Sequence, residues 1–274
     1  MDSYYRDIQW KGSRNACRST CHFIRLKNEA PHSYGSGVFI EIDSNYFLLS
    51  AAHVIADNQD DIFIKIDKNK KYKLGGEITF NLVNDSMQRN KDKYDIAILK
   101  LNDESYKNVK NNFEFIPKTE LGINHEDVKM EDYTSIGFPA SKSKFNSFKN
   151  SFKSTPLIYS AELASYETYE QLKCNASSNI IVHFEKENNI MYQGEQKITA
   201  PDHFGMSGCG LWHIPFQVVS LEENIKKYLV GIMTEWPIEN RHFLVGTRID
   251  HFTEVIRQKY KLNIQKSNKV IVRI

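Results

Sequence analysis

Ser207 lies in the stretch Phe204-Gly205-Met206-Ser207-Gly208-Cys209-Gly210, with glycine two residues before it and one after. A serine hydroxyl near its free pKa is a weak nucleophile, so attack through it needs a base and a site for the developing oxyanion. Glycine at 205 permits a turn that a side chain would block. Such a turn can aim the amides of Gly205 and Ser207 at one point, as an oxyanion hole requires. By itself the stretch reads equally as a Gly-rich turn between strands. The decision rests on whether the chain also supplies a base and an acid to orient it.

Among nine histidines, His53 ends the apolar run Leu48-Leu49-Ser50-Ala51-Ala52. A polar ring delivered from a buried strand must find a partner or a task. Asp95 has the same character, a carboxylate at the mouth of Ile96-Ala97-Ile98-Leu99. Buried carboxylates are rare unless paired, and a histidine ring N–H is a fitting donor. Asp92 is the competing acid, but its neighbours Asn90, Lys91 and Lys93 describe a solvated setting. His, Asp and Ser in that chain order form one of the recurrent triad orders.

The elements that would carry these residues read as short strands. Val38, Ile40 and Ile42 alternate with Phe39, Glu41 and Asp43, the period of a half-buried strand. Other strands are expected at 21–26, 46–50, 62–66, 77–83 and 96–101, then at 133–137, 157–163, 180–184, 229–233 and 243–249. Polar residues 102–112 and the turn near Pro117 mark a seam between two halves. Only the end reads as helical, with Asp250 as cap and Phe252, Val255, Ile256 and Tyr260 on one face. Residues 1–18 are mixed, although Ile8 and Trp10 suggest docking on the body. Many short strands and one terminal helix predict an all-β sandwich or paired barrels.

The totals exclude several classes. A chain of 274 residues, 41% hydrophobic and 26% charged, reads as globular. Lys+Arg 36 against Asp+Glu 34 leaves a net charge of +2, so no whole-protein field calls for nucleic acid. No apolar run approaches membrane-spanning length, and the first residues carry no secretory hydrophobic segment. Four cysteines are too few for a disulfide scaffold, so a cytoplasmic location is expected. Cys17, Cys21 and His22 lack a second ligand pair, so no metal and no cofactor is expected. In 142–153, Lys142, Lys144, Lys149 and Lys153 interleave with Phe145, Phe148 and Phe152. A surface loop whose phenylalanines pack on the body is favoured there over a nucleic-acid or membrane patch.

Taken together, these motifs resemble the trypsin-like (chymotrypsin-fold) serine peptidases, closest to the bacterial, disulfide-free, intracellular kind. Gly35-Ser36-Gly37-Val38-Phe39 resembles the family's entry to the strand before the histidine. Ser50-Ala51-Ala52-His53, Asp95-Ile96-Ala97-Ile98-Leu99 and Gly205-Met206-Ser207-Gly208-Cys209 resemble its three triad motifs. Val230-Gly231-Ile232-Met233-Thr234 and Val245-Gly246-Thr247-Arg248-Ile249 resemble its cleft strand and last strand.

The resemblance implies two six-stranded antiparallel β-barrels and a C-terminal α-helix. It divides the chain into an N-terminal extension (1–20), a first barrel with His53 and Asp95 (21–117), a second with Ser207 (118–249), and a helix and tail (250–274). It implies His53 as base, Asp95 as its orienting acid, an oxyanion hole of Gly205 and Ser207, and Thr234 as hydroxyl support for Asp95. Activity is then expected to rise with pH as His53 loses its proton.

The chain also departs from the pattern. Cys209 stands in place of the motif's second glycine. A cysteine reading frame would put Ser207 where the oxyanion glycine belongs, so Ser207 is the expected nucleophile. The family's activating N-terminus is absent, which points to an activating protein partner or the 142–153 loop if activity is regulated. Asp202, Met233, Glu235 and Trp236 are the expected substrate contacts, with cleavage after small or medium residues. The leading expectation is a serine endopeptidase acting on protein or peptide substrates. It extends to a regulated effector in bacterial stress or anti-phage defence. The competing expectation is a non-catalytic peptide-binding pseudo-peptidase.

Overall fold

Apolar residues on successive strands alternate between two cores, and this alternation builds the molecule. A computed structural model describes all residues except 1, 28–29, 57–61, 68–69, 82–93, 149–150, 187–188, 191–196, 199, 218–223, 236, 238–239 and 274. The first half runs α1 (Asp2–Cys17), β1 (Thr20–Lys27), β2 (Ala30–Ile42), β3 (Asn45–Ala51), α2 (Ala52–Ala56), β4 (Phe63–Asp67), β5 (Lys70–Lys73), β6 (Gly76–Phe80), β7 (Ile96–Leu101), α3 (Asp103–Val109) and β8 (Ile116–Pro117). The second runs β9 (Tyr133–Gly137), β10 (Ser143–Asn146), β11 (Ser151–Ser154), β12 (Leu157–Ala161), α4 (Tyr166–Gln171), β13 (Asn179–His183), β14 (Asn189–Ile190), β15 (Lys197–Ile198), β16 (Gly210–His213), β17 (Tyr228–Glu235), β18 (Phe243–Arg248) and α5 (Ile249–Tyr260).

Two curled antiparallel sheets form half-barrels. The first has the order β5-β4-β1-β2-β3-β7-β6, with β8 added in parallel beside β2, and the second has the order β12-β9-β16-β17-β18-β13. The first half therefore carries eight strands where six were expected. The central strands are not half-buried either. Val38, Phe39 and Ile40 are each 0% exposed because both faces of β2 are covered. Val38, Ile40, Phe47, Leu49, Ile96 and Ile98 face a core shared with Trp212, Ile232 and Phe252 of the other half. Phe39, Leu48, Ala97 and Leu99, one residue out of phase, fill the interior of the first half-barrel. Met206, Cys209, Leu211 and Met233 belong to the interior of the second.

More helix is present than the sequence suggested. Residues 2–17 form α1, whose Ile8 packs with Ile214 and Ile225. The polar seam contains α3, capped by Asn102, whose side chain accepts a hydrogen bond from the Ser105 amide at 2.9 Å. Helix α5 lays Phe252, Val255 and Ile256 on the shared core. Its cap is Arg248 and not Asp250. The Asp250 carboxylate instead accepts from the Asn124 amide at 2.9 Å and the Ser267 hydroxyl at 2.6 Å, which ties down the C-terminal segment. The Lys/Phe-rich stretch is a hairpin in which Phe145 opposes Phe152. Phe152 is 6% exposed, while Phe148 projects fully into solvent. Among the described residues no helix is long and apolar enough to cross a membrane.

Candidate active site

Strand β3 runs into α2 at Ala52, which delivers His53 from the end of a buried strand. Strand β7, its hydrogen-bonded neighbour, begins one residue after Asp95. Pairing of Ala51 with Ile96 thus sets the two polar side chains side by side. Asp95 Oδ2 lies 2.5 Å from His53 Nδ1, and Oδ1 accepts the His53 amide at 2.9 Å. The carboxylate is 8% exposed and the imidazole 43%, so one partner is sealed while the other is open to solvent.

Asp95 holds this position with a left-handed backbone, φ 46°, which is costly for a residue with a side chain. Three hydrogen bonds bracket it. The Thr247 hydroxyl donates to Tyr94 O at 2.6 Å, the Ala52 amide donates to Asp95 O at 2.8 Å, and the Asn81 side chain accepts the Ile96 amide at 2.9 Å. Thr234 plays no part in this. Beside a bulge in β17 between Met233 and Glu235, its hydroxyl donates to Val245 O at 3.4 Å, and the hydroxyl that braces the Asp95 segment is that of Thr247, on Tyr94 O.

Ser207 occupies a turn made by two left-handed glycines, Gly205 at φ 89° and Gly208 at φ 84°. A Cβ at 208 would also lie 2.1 Å from Ser36 O and 2.2 Å from Ser50 Oγ, so only glycine fits. The turn is bonded on both flanks. On one side Ser36 donates its amide to Ser207 O at 2.8 Å and its hydroxyl to Gly205 O at 3.2 Å. On the other, the Gly208 amide donates to Met233 O at 2.7 Å. Among the described residues the amides of Gly205 and Ser207 donate to no protein acceptor, which leaves them open to an oxyanion.

The turn lies against the base. A Cβ on Gly35 would be 2.5 Å from Val54 Cγ1 and 3.2 Å from Ser207 O, so a single glycine separates the neighbour of His53 from the serine. Among the described residues the Ser207 hydroxyl has no hydrogen bond to His53. Cys209 is fully buried, and burial pushes its thiol up to about 12, which keeps it protonated and unreactive.

The expected substrate contacts separate. Glu235 is near the dyad: its carboxyl is raised by desolvation and then by the charge of Asp95, while His53 pulls it back. Met233 is 5% exposed and serves the turn through its main chain. Asp202 lies on the surface in an ion pair with Lys186 at 2.7 Å, which holds its carboxyl below the usual range. Trp236 lies outside the described residues. Sequence reasoning gave no role to Thr247, Ser36 or Ser50. Each is a buried hydroxyl in or beside an apolar strand, a pattern that demands a hydrogen-bond partner.

Solved structures share this architecture. The structure of GrC is 15% identical with a TM-score of 0.52, covering 90% of this chain and 96% of that one. The serine endoprotease from Yersinia pestis is 15% identical with a TM-score of 0.52, covering 92% of this chain and 66% of that one. This is the chymotrypsin fold. At such identity the likeness establishes the fold alone. No protein-family model and no curated protein sequence matches the chain.

Proposed function

We propose that the chain is a serine endopeptidase that cleaves protein substrates through an acyl-enzyme on Ser207. The observation that carries the reading is the double grip of a sealed Asp95 carboxylate on the amide and ring of a solvent-facing His53, beside a glycine-framed serine. Asp95 on Nδ1 leaves Nε2 as the ring's basic atom. As Ser207 Oγ attacks the scissile carbonyl, Nε2 takes its proton, and the new oxyanion is met by the Gly205 and Ser207 amides. The imidazolium then gives that proton to the departing amine, which leaves an ester on Ser207. Water, deprotonated by the same nitrogen, hydrolyses the ester and restores the serine. Each oxyanion donor is worth about 10²–10³ in rate in enzymes of this chemistry.

A fluorophosphonate probe tests this reading. Wild type is expected to be labelled on Ser207, and the Ser207→Ala variant is not. The open Ser207–His53 contact favours one rival, a non-catalytic module that holds a peptide in the cleft. Folded wild type that resists the probe would count against the peptidase and favour that rival. Resting enzymes often close such contacts only around substrate. A role as a regulated effector in bacterial stress or anti-phage defence, with an activating protein partner, rests on family resemblance alone. Fully exposed Phe148, just after β10, is where such a partner would act.

A further inference from the structure

A second histidine–serine pair flanks the nucleophile turn and has no task in the reaction above. His22, on β1, is 2% exposed, and its Nε2 lies 2.8 Å from Ser33 Oγ on β2. Its ring stacks with Phe138 and with Phe152, at centroid distances of 4.8 and 5.4 Å. Nδ1 is buried without a partner. A buried orphan costs less as a bare lone pair than as an N–H, which puts the ring proton on Nε2 and makes it the donor to Ser33. Ser33 directs its own proton toward Phe138 O at 3.5 Å. An Oγ lone pair then remains for a ligand.

Ser33 lines a cavity of about 400 Å³ walled by Pro31, Ala140, Phe145, Phe152 and Phe204. Phe204, immediately before the oxyanion glycine, is 72% exposed. A Cβ on Gly205 would lie 3.1 Å from Ser33 Oγ, so the cavity abuts the oxyanion turn. The leaving amine must face the ring that returns its proton, and the surroundings of His53 rest on β2: Val54 packs on Gly35, and the Tyr34 hydroxyl donates to His53 O at 3.4 Å. Strand β17 holds the other flank of the turn, where Met233 O accepts the Gly208 amide at 2.7 Å, and that flank is left to the acyl half. The cavity therefore lies along the path of the departing segment.

We infer that this cavity binds an aromatic side chain of the substrate segment that follows the scissile bond, with Ser33, fixed by His22, accepting a hydrogen bond from its hydroxyl or ring N–H. The volume suits a single large side chain, and three phenylalanine walls favour ring stacking. The inference rests on the peptidase reading and names the substrate class on its leaving side.

Two measurements keep the inference and that reading apart. In the first, wild type cleaves a mixed peptide library. Tyr, Trp and Phe should be enriched at the first two positions after the cut, at least about tenfold over Ala. Phe145→Ala and Phe204→Ala should each erode that preference, and Ser33→Ala should erode the advantage of Tyr and Trp over Phe. In the second, tyrosinamide and alaninamide are titrated onto the Ser207→Ala protein and followed by ligand-observed NMR. Tyrosinamide alone should bind, and Phe145→Ala in that background should abolish binding while thermal melting shows it folded. Cleavage without leaving-side preference, or equal binding of the two amides, overturns the inference and leaves the peptidase standing. Selective amide binding by a protein that resists the fluorophosphonate supports the subsite and sinks the peptidase.

Discussion

Three buried histidines whose pKa values burial lowers make the fold acid-sensitive, and the size of the effect follows from their surroundings. His22, His203 and His251 are 2%, 6% and 7% exposed. Burial pushes their pKa values down to about 3, 4 and 4. An unfolded histidine titrates near 6.5, so between there and about 4 the unfolded chain binds protons that the native chain refuses. The stability contributed is present above pH 6.5 and is lost as pH falls. From pH 7 to pH 5 each such ring costs roughly 2 kcal/mol, and three cost about 6 kcal/mol. His125, half-buried and held down to about 4 by burial and then by His213, adds to this in the same direction. The loss rivals the whole stability of an ordinary domain, about 5–15 kcal/mol. Urea unfolding at pH 7, 6 and 5 reads it directly. His251→Phe keeps a ring beside Tyr94 and removes a nitrogen that is buried without a partner. That variant should reduce the acid loss by about 2 kcal/mol. Unfolding free energies equal within 1 kcal/mol at pH 7 and pH 5 would refute the reasoning. The result also governs any pH–activity profile, because global unfolding by itself lowers activity as pH falls. Labelling rates must be normalised to the folded fraction before His53 is assigned as the base.

Further consequences concern the acid. Asp95→Asn should leave the fold intact but lower turnover by about 10⁴-fold, since an amide cannot fix the ring tautomer; the magnitude belongs to the general Ser-His-Asp template and is measured by peptide hydrolysis. Thr247→Val removes the 2.6 Å bond to Tyr94 O while keeping the shape of the side chain. It should cost about 1–3 kcal/mol by urea unfolding, and it should lower kcat more than it raises KM. Unchanged kcat in Thr247→Val would show that the left-handed Asp95 is held without it.

The half-barrels were legible because their strands carry unbroken apolar runs. Likewise, His53 and Asp95 stood out as polar residues at the ends of such runs. What escaped was whatever depends on a second strand. The period-2 reading of β2 assigned one wet face, and only the packed opposite half-barrel, with Trp212 and Ile232, makes both faces dry. Thr234 looked like the support for Asp95 from its motif, but beside a bulge in β17 its hydroxyl donates to Val245 O. Bulges leave no local mark in sequence. Helix α1 was missed because most of it is polar, with Ile8 and Ala16 its fully buried apolar anchors. Asp202 was expected among the substrate contacts, and its ion pair with Lys186, 16 residues away in the chain, could not be read locally.

The nucleophile turn raises a final question, which is what keeps it formed. The residue between Gly205 and Ser207 is Met206, an apolar side chain only 2% exposed in the core of the second half-barrel. The two left-handed glycines make the turn possible and also leave it free to adopt other shapes. Buried Met206 supplies the restraint from inside, with no charged partner required. Met206→Ala should therefore do two separable things. Opening a cavity in a packed core costs about 2–5 kcal/mol, seen as a lower urea midpoint. Losing the anchor should also slow fluorophosphonate labelling at 25 °C in protein that remains folded, by at least about tenfold if the amides of Gly205 and Ser207 cease to converge. Met206→Leu, close in volume, should restore both. Met206→Ala protein that is destabilised yet labels at the wild-type rate would mean that the flanking bonds from Ser36 and to Met233 suffice. The turn would then be held by its hydrogen bonds rather than from the core beneath it.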